Sequence, residues 1–485
     1  MKKAAVAAFL ISTNTLLIRL CDSPISHVIG NNKNNKGKPL ERGQFSSKAG
    51  FIMAAAGAAV GLGNVWGFPT QVASNGGGAF VLVYLLLAFC LAYPALMAEL
   101  IVGRHARANA VIALPMLNEK PILKLGGKLV GIAGLITVAV ILSFYAIIAG
   151  WLFAFAIEPV VSFLGFSKAA NWLTQFSLSR NIIFTACFMV LTILIIGAGV
   201  NHGIERWSKR MMPALVLILV ALIGYMLTLP NAMVGLTHYL KPDFSQIFDG
   251  QLIISAMGQA FFSLSLGVGC MLIYGSYLSS DENIVKAGAW VTLLDVGLAF
   301  VAGLLIIPSM YIASYFGVEI FDSSGALLNS DTLIFTILPA LFEQMGAAGP
   351  LVAFAFFVLM SLAALTSSIS LLEVPVAYVV EAHKKPRVIT SWVIGAFVTA
   401  LSLTIVFNFS WLFGLVITVT TKYSQPLLGL FFCLYAGWVW HRSGALNEIK
   451  KGYQGAEHGL FWKIWPWYVK FVCPLFIIVM FIHAL

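Results

Sequence analysis

Apolar residues in this chain run in long, nearly unbroken blocks. They show neither the two-residue alternation of a half-buried strand nor the narrow stripe of a surface helix. The blocks predict spans near 49–73, 79–103, 127–158, 181–200, 209–229, 250–279, 285–315, 348–381, 388–407, 411–439 and 464–484. Each is long enough to cross a bilayer as a helix, which takes about 20 residues. The expected fold is therefore all-α and integral to the membrane, with about 11 transmembrane helices. Residues 319–345 are less apolar and contain Pro339, which predicts a folded outer loop shaped as a short re-entrant helical hairpin.

Two of these blocks are interrupted. The first reads GAAVGLGNVWGFP and the sixth reads FFSLSLGVGCMLIY, with glycines at 57, 61, 63 and 67, then Pro69, and again at 267 and 269. Glycine costs about 1 kcal/mol in a helix interior. In lipid, the backbone groups it frees also need partners, so a break survives only in protein or along a cavity. Close packing through small residues is the plain alternative for either span alone. Two breaks lying five spans apart instead point to a binding site between two halves of the chain.

Composition agrees. The 485 residues are 60% hydrophobic and only 10% charged, against about 45–50% and 25% in soluble domains. Soluble enzymes and nucleic-acid binders are excluded, and the partners expected are the lipid bilayer and a small molecule. The net charge of +10 is concentrated in alternate loops, 33–48, 104–128, 206–210, 384–387 and 442–463. The positive-inside rule makes these cytoplasmic, which places the amino terminus inside and, after an odd number of spans, the carboxyl terminus outside. The six cysteines are scattered through apolar runs and imply no disulfide framework. The eight histidines form no metal-ligand pattern, and no nucleophile and base motif appears, so a membrane enzyme is not expected.

The opening MKKAAVAAFLISTNTLLIRLC has a charged start and an apolar stretch, but Ser12 to Thr15 interrupt it and no small-residue cleavage site comes after it. Residues 1–45 are read as a cytoplasmic extension, 46–440 as the core of ten spans, and 441–485 as a cytoplasmic loop with the eleventh span.

Four motifs, GAAVGLGNVWGFP, NGGGAFVLVY, FFSLSLGVG and ALTSSIS, occur in this order on four separate spans. With them, residues 41–445 resemble the neurotransmitter:sodium symporter family, in its bacterial amino-acid transporter branch. The resemblance implies a five-plus-five inverted repeat, with helices 1 and 6 broken, and a sodium-coupled symporter working by alternating access. A non-transporting sensor on the same fold is the alternative. One sodium site would use the Ala59 carbonyl, Asn64, Ser263 and Asp295. The second would use the carbonyls of Gly57, Val60 and Ala363 with the hydroxyls of Thr366 and Ser367, although hydroxyls on membrane helices also commonly bond back to their own backbone.

Family members that carry monoamines place an aspartate where this chain has Gly61. Here Gly61 leaves room for a substrate carboxylate at a half-helix amino end, where the dipole favours an anion, and Tyr145 matches the family tyrosine that holds it. The resemblance also implies substrate contacts at Ala59, Gly63 and Ser263. By the same resemblance Ile141, Phe262, Ser265, Val268, Ser367 and Leu371 line the side-chain pocket, which has no charged member and suits a neutral hydrophobic amino acid. Val268 stands where the bacterial leucine transporter has an aromatic ring, which leaves room for a larger side chain.

Tyr84, Gln259 and Ser263 match the chloride site of chloride-dependent relatives, but Ala299 replaces its serine. Asp295 replaces an amide common in the family. A fixed carboxylate there does the anion's electrostatic work, so chloride is expected not to be required. On the inner side Arg42, Ser276, Tyr277 and Glu381 match the family gate, with Arg42 and Glu381 as its ion pair. On the outer side both members of the family salt bridge are missing, at Gly67 and Ile417. Two further pairings are expected among intramembrane charges: Glu99 with Arg104, and Glu373 with Lys422.

Overall fold

The computed structural model describes residues 43–320 and 333–484, and helices stand at all eleven expected places. Arg42, Cys21, the amino-terminal extension to residue 42 and residues 321–332 lie outside the described residues. Eight helices, Gly78–Ala106, Pro121–Phe163, Leu178–Gly197, Val200–Met226, Ile284–Tyr315, Gly346–His383, Arg387–Phe407 and Leu460–Ala484, are each long and apolar enough to cross a membrane. The first span is two pieces, Lys48–Ala59 and Gly63–Ser74, bent by 55°. The sixth is also in two pieces, Gly250–Ser263 and Cys270–Ser276. The tenth runs from Phe409 to Val439 through two π-helical stretches, Thr418–Ser424 and Tyr435–Val439.

The two interrupted spans stop for different local reasons. In the first, Val60 to Leu62 leave the regular helix, and the next turn widens to π over Gly63–Gly67 before Pro69 restarts the α-helix. In the sixth, Ser265, Gly267 and Gly269 all take positive φ, at 51°, 82° and 76°. Two of these are glycines, which adopt that region freely, but Ser265 is held there against its preference.

Spans three and eight pack along each other, and span eight also lies against the first half of span one. The third helix carries Ile141 and Tyr145, the eighth carries Thr366 and Ser367, and both flank the two breaks. Of the outer region 319–345, the described part is the short apolar helix Leu333–Gln344. It packs against spans seven and eight.

Candidate functional site

At the break of the first span, Asn64 Nδ2 donates to Asp295 Oδ1 at 2.7 Å and to the Asp295 carbonyl at 3.0 Å. Ser263 Oγ donates to Asp295 Oδ2 at 2.8 Å, and Tyr84 Oη donates to Ser263 Oγ at 3.3 Å. Asn64 Oδ1 accepts from Gly61 N at 3.3 Å. Asp295 and Asn64 are fully buried. Both carboxylate oxygens of Asp295 are thus held by neutral donors, and among the described residues no basic side chain bonds to it. Gln259 turns to the Gly63 carbonyl at 2.8 Å, and Ala299 lies fully buried one turn along from Asp295.

A second oxygen cluster sits where span eight meets the same break. Thr366 Oγ1 donates to the Ala363 carbonyl at 2.9 Å and lies 3.3 Å from the Val60 carbonyl. Ser367 Oγ reaches the carbonyls of Val60 at 3.2 Å and Ala58 at 3.3 Å. Gly57 is pressed against this cluster, since a Cβ there would stand 3.3 Å from Thr366 Cβ. The hydroxyls therefore bond across to another helix, which i−4 back-bonding alone would not produce. The Ala58 carbonyl, which also accepts from Ser265 Oγ at 3.3 Å, is a member the sequence did not suggest. The second cluster is made of oxygen alone, and the first contains the oxygens of Asp295, Ser263 and Asn64 beside the Asn64 amide nitrogen; oxygen is the donor type a hard cation such as Na⁺ takes.

Between them lies a small cavity of about 50 Å³. Ala59, Gly61, Gly63, Ile141, Tyr145, Phe262, Ser265, Val268, Ser367 and Leu371 line it. Of the expected pocket residues, only Ser263 does not line the cavity, being turned to Asp295. Leu62, Phe144 and Gln425 join the wall without having been expected. Gln425 is the one polar newcomer, and its only signal in the sequence is an amide beside Pro426 in an otherwise apolar span. At one end Leu62 N donates to Tyr145 Oη at 3.4 Å. A Cβ on Gly61 would stand 2.3 Å from Ser367 Oγ and 2.9 Å from Tyr145 Oη. Any side chain at 61 would therefore fill the place beside those two hydroxyls.

On the cytoplasmic side of the predicted topology, Tyr277 Oη donates to Glu373 Oε1 at 2.6 Å, and Arg387 donates to the other Glu373 oxygen. Arg387 Nε is held by the Ile196 carbonyl at 2.9 Å. The expected pairing of Glu373 with Lys422 is thus wrong: Lys422 is exposed, in the π-helical stretch of span ten. Arg387 lies 14 residues from Glu373, across the turn between spans eight and nine, and takes that place. Glu99 does not pair with Arg104 either. It accepts from Gly267 N at 2.7 Å in the sixth-span break, whereas Arg104 bonds Glu448 Oε1 at 2.8 Å and the Glu282 carbonyl at 2.7 Å. Five positions separate residues 99 and 104 on a helix, so they leave on different faces.

Glu381 accepts from the backbone and side chain of Asn109, at 3.0 and 2.8 Å. Ser276 Oγ bonds the Ile273 carbonyl, and Phe45 N donates to the Tyr277 carbonyl at 3.2 Å. The remaining gate residue, Arg42, lies outside the described residues.

On the opposite side of the cavity the surroundings are aromatic. Phe144 on the pocket wall meets Phe413 at 6.4 Å between ring centroids. Phe413 stacks on Phe409 at 4.5 Å, and Trp151 contacts both, at 6.0 and 5.6 Å. Phe335 joins Trp151 at 5.6 Å to Trp66 at 6.0 Å. Gly67 follows Trp66 of this cluster, and a Cβ there would stand 3.5 Å from Gln259 Oε1 and 3.9 Å from the Leu62 carbonyl.

The chain matches the sodium:neurotransmitter symporter family over residues 42–183 and 174–485. It is 34% identical over 457 residues to YhdH of Bacillus subtilis (strain 168), described as an uncharacterized sodium-dependent transporter, covering 91% of this chain and 97% of that one. The sodium- and chloride-dependent taurine transporter of Bos taurus is 28% identical, over 72% of this chain and 62% of its own. Among solved structures, MhsT in complex with L-phenylalanine superposes with a TM-score of 0.78 at 34% identity, covering 92% of this chain and all of that one. The fold and the two broken spans agree with these relationships: the chain belongs to the sodium:neurotransmitter symporter family, and is a multi-pass integral membrane protein of sodium-coupled transport, not an enzyme.

Proposed function

We propose that this chain carries a neutral, hydrophobic amino acid together with Na⁺ bound at two sites, by alternating access and without a need for chloride. The observation that carries the reading is the cradle at Gly61, Leu62 N and Tyr145 Oη, which opens at one end of an uncharged cavity. A carboxylate fits there, at the start of a half-helix whose dipole favours an anion, and the apolar wall takes the side chain. L-phenylalanine in the structure of the similar MhsT supports an amino-acid substrate.

Two Na⁺ ions fit the oxygen clusters. At the first, the Ala59 carbonyl, Asn64, Ser263 and Asp295 would hold the ion, which requires Asn64 to present its carbonyl oxygen rather than the amide nitrogen it now turns to Asp295. At the second, the carbonyls of Gly57, Val60 and Ala363 would join Thr366 and Ser367. At about 4 Å and an effective dielectric near 20, Na⁺ and the Asp295 carboxylate attract by roughly 4 kcal/mol, offset in part by desolvation. Asp295 supplies that charge permanently, so the anion has no electrostatic task left, and Ala299 removes one of its ligands. In topology, residues 1–45 lie in the cytoplasm of a cell bounded by this plasma membrane, and the carboxyl terminus lies outside.

Binding and uptake of labelled amino acids in proteoliposomes test the reading. Leucine, methionine and aromatic amino acids should bind in Na⁺ and not in choline, whereas their decarboxylated amines should not compete. Uptake in gluconate should match uptake in chloride, and Asp295→Asn should weaken Na⁺ binding. Equal binding in choline removes the coupling, strong competition by an amine removes the carboxylate cradle, and a chloride requirement in the wild type removes the role given to Asp295.

A further inference from the structure

Gln425 is the cavity-wall residue with no partner. It is 5% exposed, it lines the cavity, and its side-chain amide makes no hydrogen bond to any described residue. An amide carries two donors and an acceptor, so Gln425 has hydrogen-bonding capacity to offer at this wall.

The fold has to work to bring this residue to the wall. Span ten is widened to π over Thr418–Ser424, and the α-helix resumes at Gln425, so the extra residue in the turn re-aims the side chains beyond it. The backbone here also lies directly on the sixth-span break. A Cβ on Gly267 would stand 2.2 Å from the Gln425 carbonyl and 2.8 Å from Gly429 N, so the approach needs a glycine at 267. Gln425 is therefore placed beside Val268, on the sixth-span side of the cavity. The carboxylate cradle at Gly61, Leu62 and Tyr145 belongs to the first and third spans.

We infer that Gln425 reads the far end of the substrate's side chain, and that the preferred substrate is an amino acid whose large apolar side chain ends in a hydrogen-bonding group, a phenol or an indole. This rests on the amino-acid reading of the cavity. Val268 supplies the length, and Gln425 supplies the partner for the terminal O–H or N–H. A purely hydrocarbon side chain of the same size leaves the amide unpaired, and a site built for such a bond rejects the analogue that lacks it.

The test is displacement of bound labelled L-leucine from the purified full-length protein in Na⁺ by L-tyrosine, L-tryptophan and L-phenylalanine. In the wild type, tyrosine or tryptophan should compete roughly tenfold better than phenylalanine. Gln425→Leu should abolish or reverse that preference, read as the ratio of tyrosine or tryptophan competition to that of phenylalanine. Gln425→Met, close in shape and unbranched, repeats the measurement should the leucine variant fail to fold. A wild type that favours phenylalanine over both others, or an unchanged preference in a variant that still binds leucine in Na⁺, overturns the inference and leaves the transport reading standing. Absence of any Na⁺-dependent amino-acid binding in the folded wild type overturns both.

Discussion

The two sides of the cavity are flanked by different chemistry. On the side assigned to the cytoplasm, charged and hydroxyl groups hold the spans: Tyr277 and Arg387 share Glu373, Asn109 holds Glu381, and Arg104 holds Glu448. On the other side Trp66, Trp151, Phe335, Phe409 and Phe413 lie ring against ring. Charged bonds are directional, and removing one partner strands the other. Ring contacts are each worth about 0.5–1.5 kcal/mol beyond their area and are lost by degrees. By the resemblance Gly67 and Ile417 stand where the family has an ion pair, and aromatic rings on this side fit the loss of both charges together. An ion pair set among these rings would be desolvated at a cost its attraction need not repay, and a single remaining charge would be worse.

The largest effect should come from Glu373→Gln, which leaves the guanidinium of Arg387 without its carboxylate. Breaking a buried pair from one side costs roughly 3–5 kcal/mol, so the melting temperature in detergent should fall sharply and transport should cease. A variant as stable as the wild type would show that the inner side is not held by this pair.

Glu448→Gln should rank next, at roughly 3 kcal/mol, because Arg104 and Glu448 are both buried and the glutamate also anchors Lys451. Burial opposes the Glu448 charge, but hydrogen bonds from His105 and Lys451 and the Arg104 charge outweigh it and hold the carboxyl down at about 2. A folded value below the unfolded one gives stability that is complete above the ordinary carboxylate range and drains away as pH falls towards 2. The gap in thermal stability between wild type and variant should accordingly be the same at pH 7 and at about pH 6, and narrow only below about pH 4. A gap that closes near neutrality would contradict the pairing.

Trp151→Ala removes a ring that touches four others, Phe176, Phe335, Phe409 and Phe413. Loss of roughly 2 kcal/mol from the closed arrangement shifts the balance towards outward opening by about 30-fold. A cysteine introduced at Ile141 on the cavity wall should then be labelled faster from outside in Na⁺. Unchanged labelling would mean that the rings fill space without closing it. The smallest effect, about 1 kcal/mol or less, belongs to Phe413→Leu, which keeps bulk and loses only ring geometry; a few-fold change in the same labelling rate checks it. High salt should leave these labelling rates unaltered, since no exposed charges are involved.

Much of the pattern was legible before folding. The eleven apolar blocks, the glycines of the two breaks, and the hydroxyl and amide residues of the site stand in the sequence because lipid demands the first and helix interruption the second. The charge partners were not legible. Glu99 and Arg104 are close in sequence yet bond far along the chain, and Glu373 takes Arg387 across the turn rather than Lys422 in span ten. Gln425 was missed because one amide in an apolar span has no periodicity of its own.

The amino-acid order alone therefore determined one-dimensional properties: which segments must lie in lipid, where their helices must break, and which oxygens are available near the breaks. Tertiary structure decided which oxygens meet, that Ser263 turns to Asp295 while Gln425 reaches the cavity, and that rings rather than an ion pair cover one side. The reason is physical. Helix formation and membrane burial depend on neighbours within a span, whereas a buried polar group takes whichever donor or acceptor the packing of distant spans brings within about 3 Å.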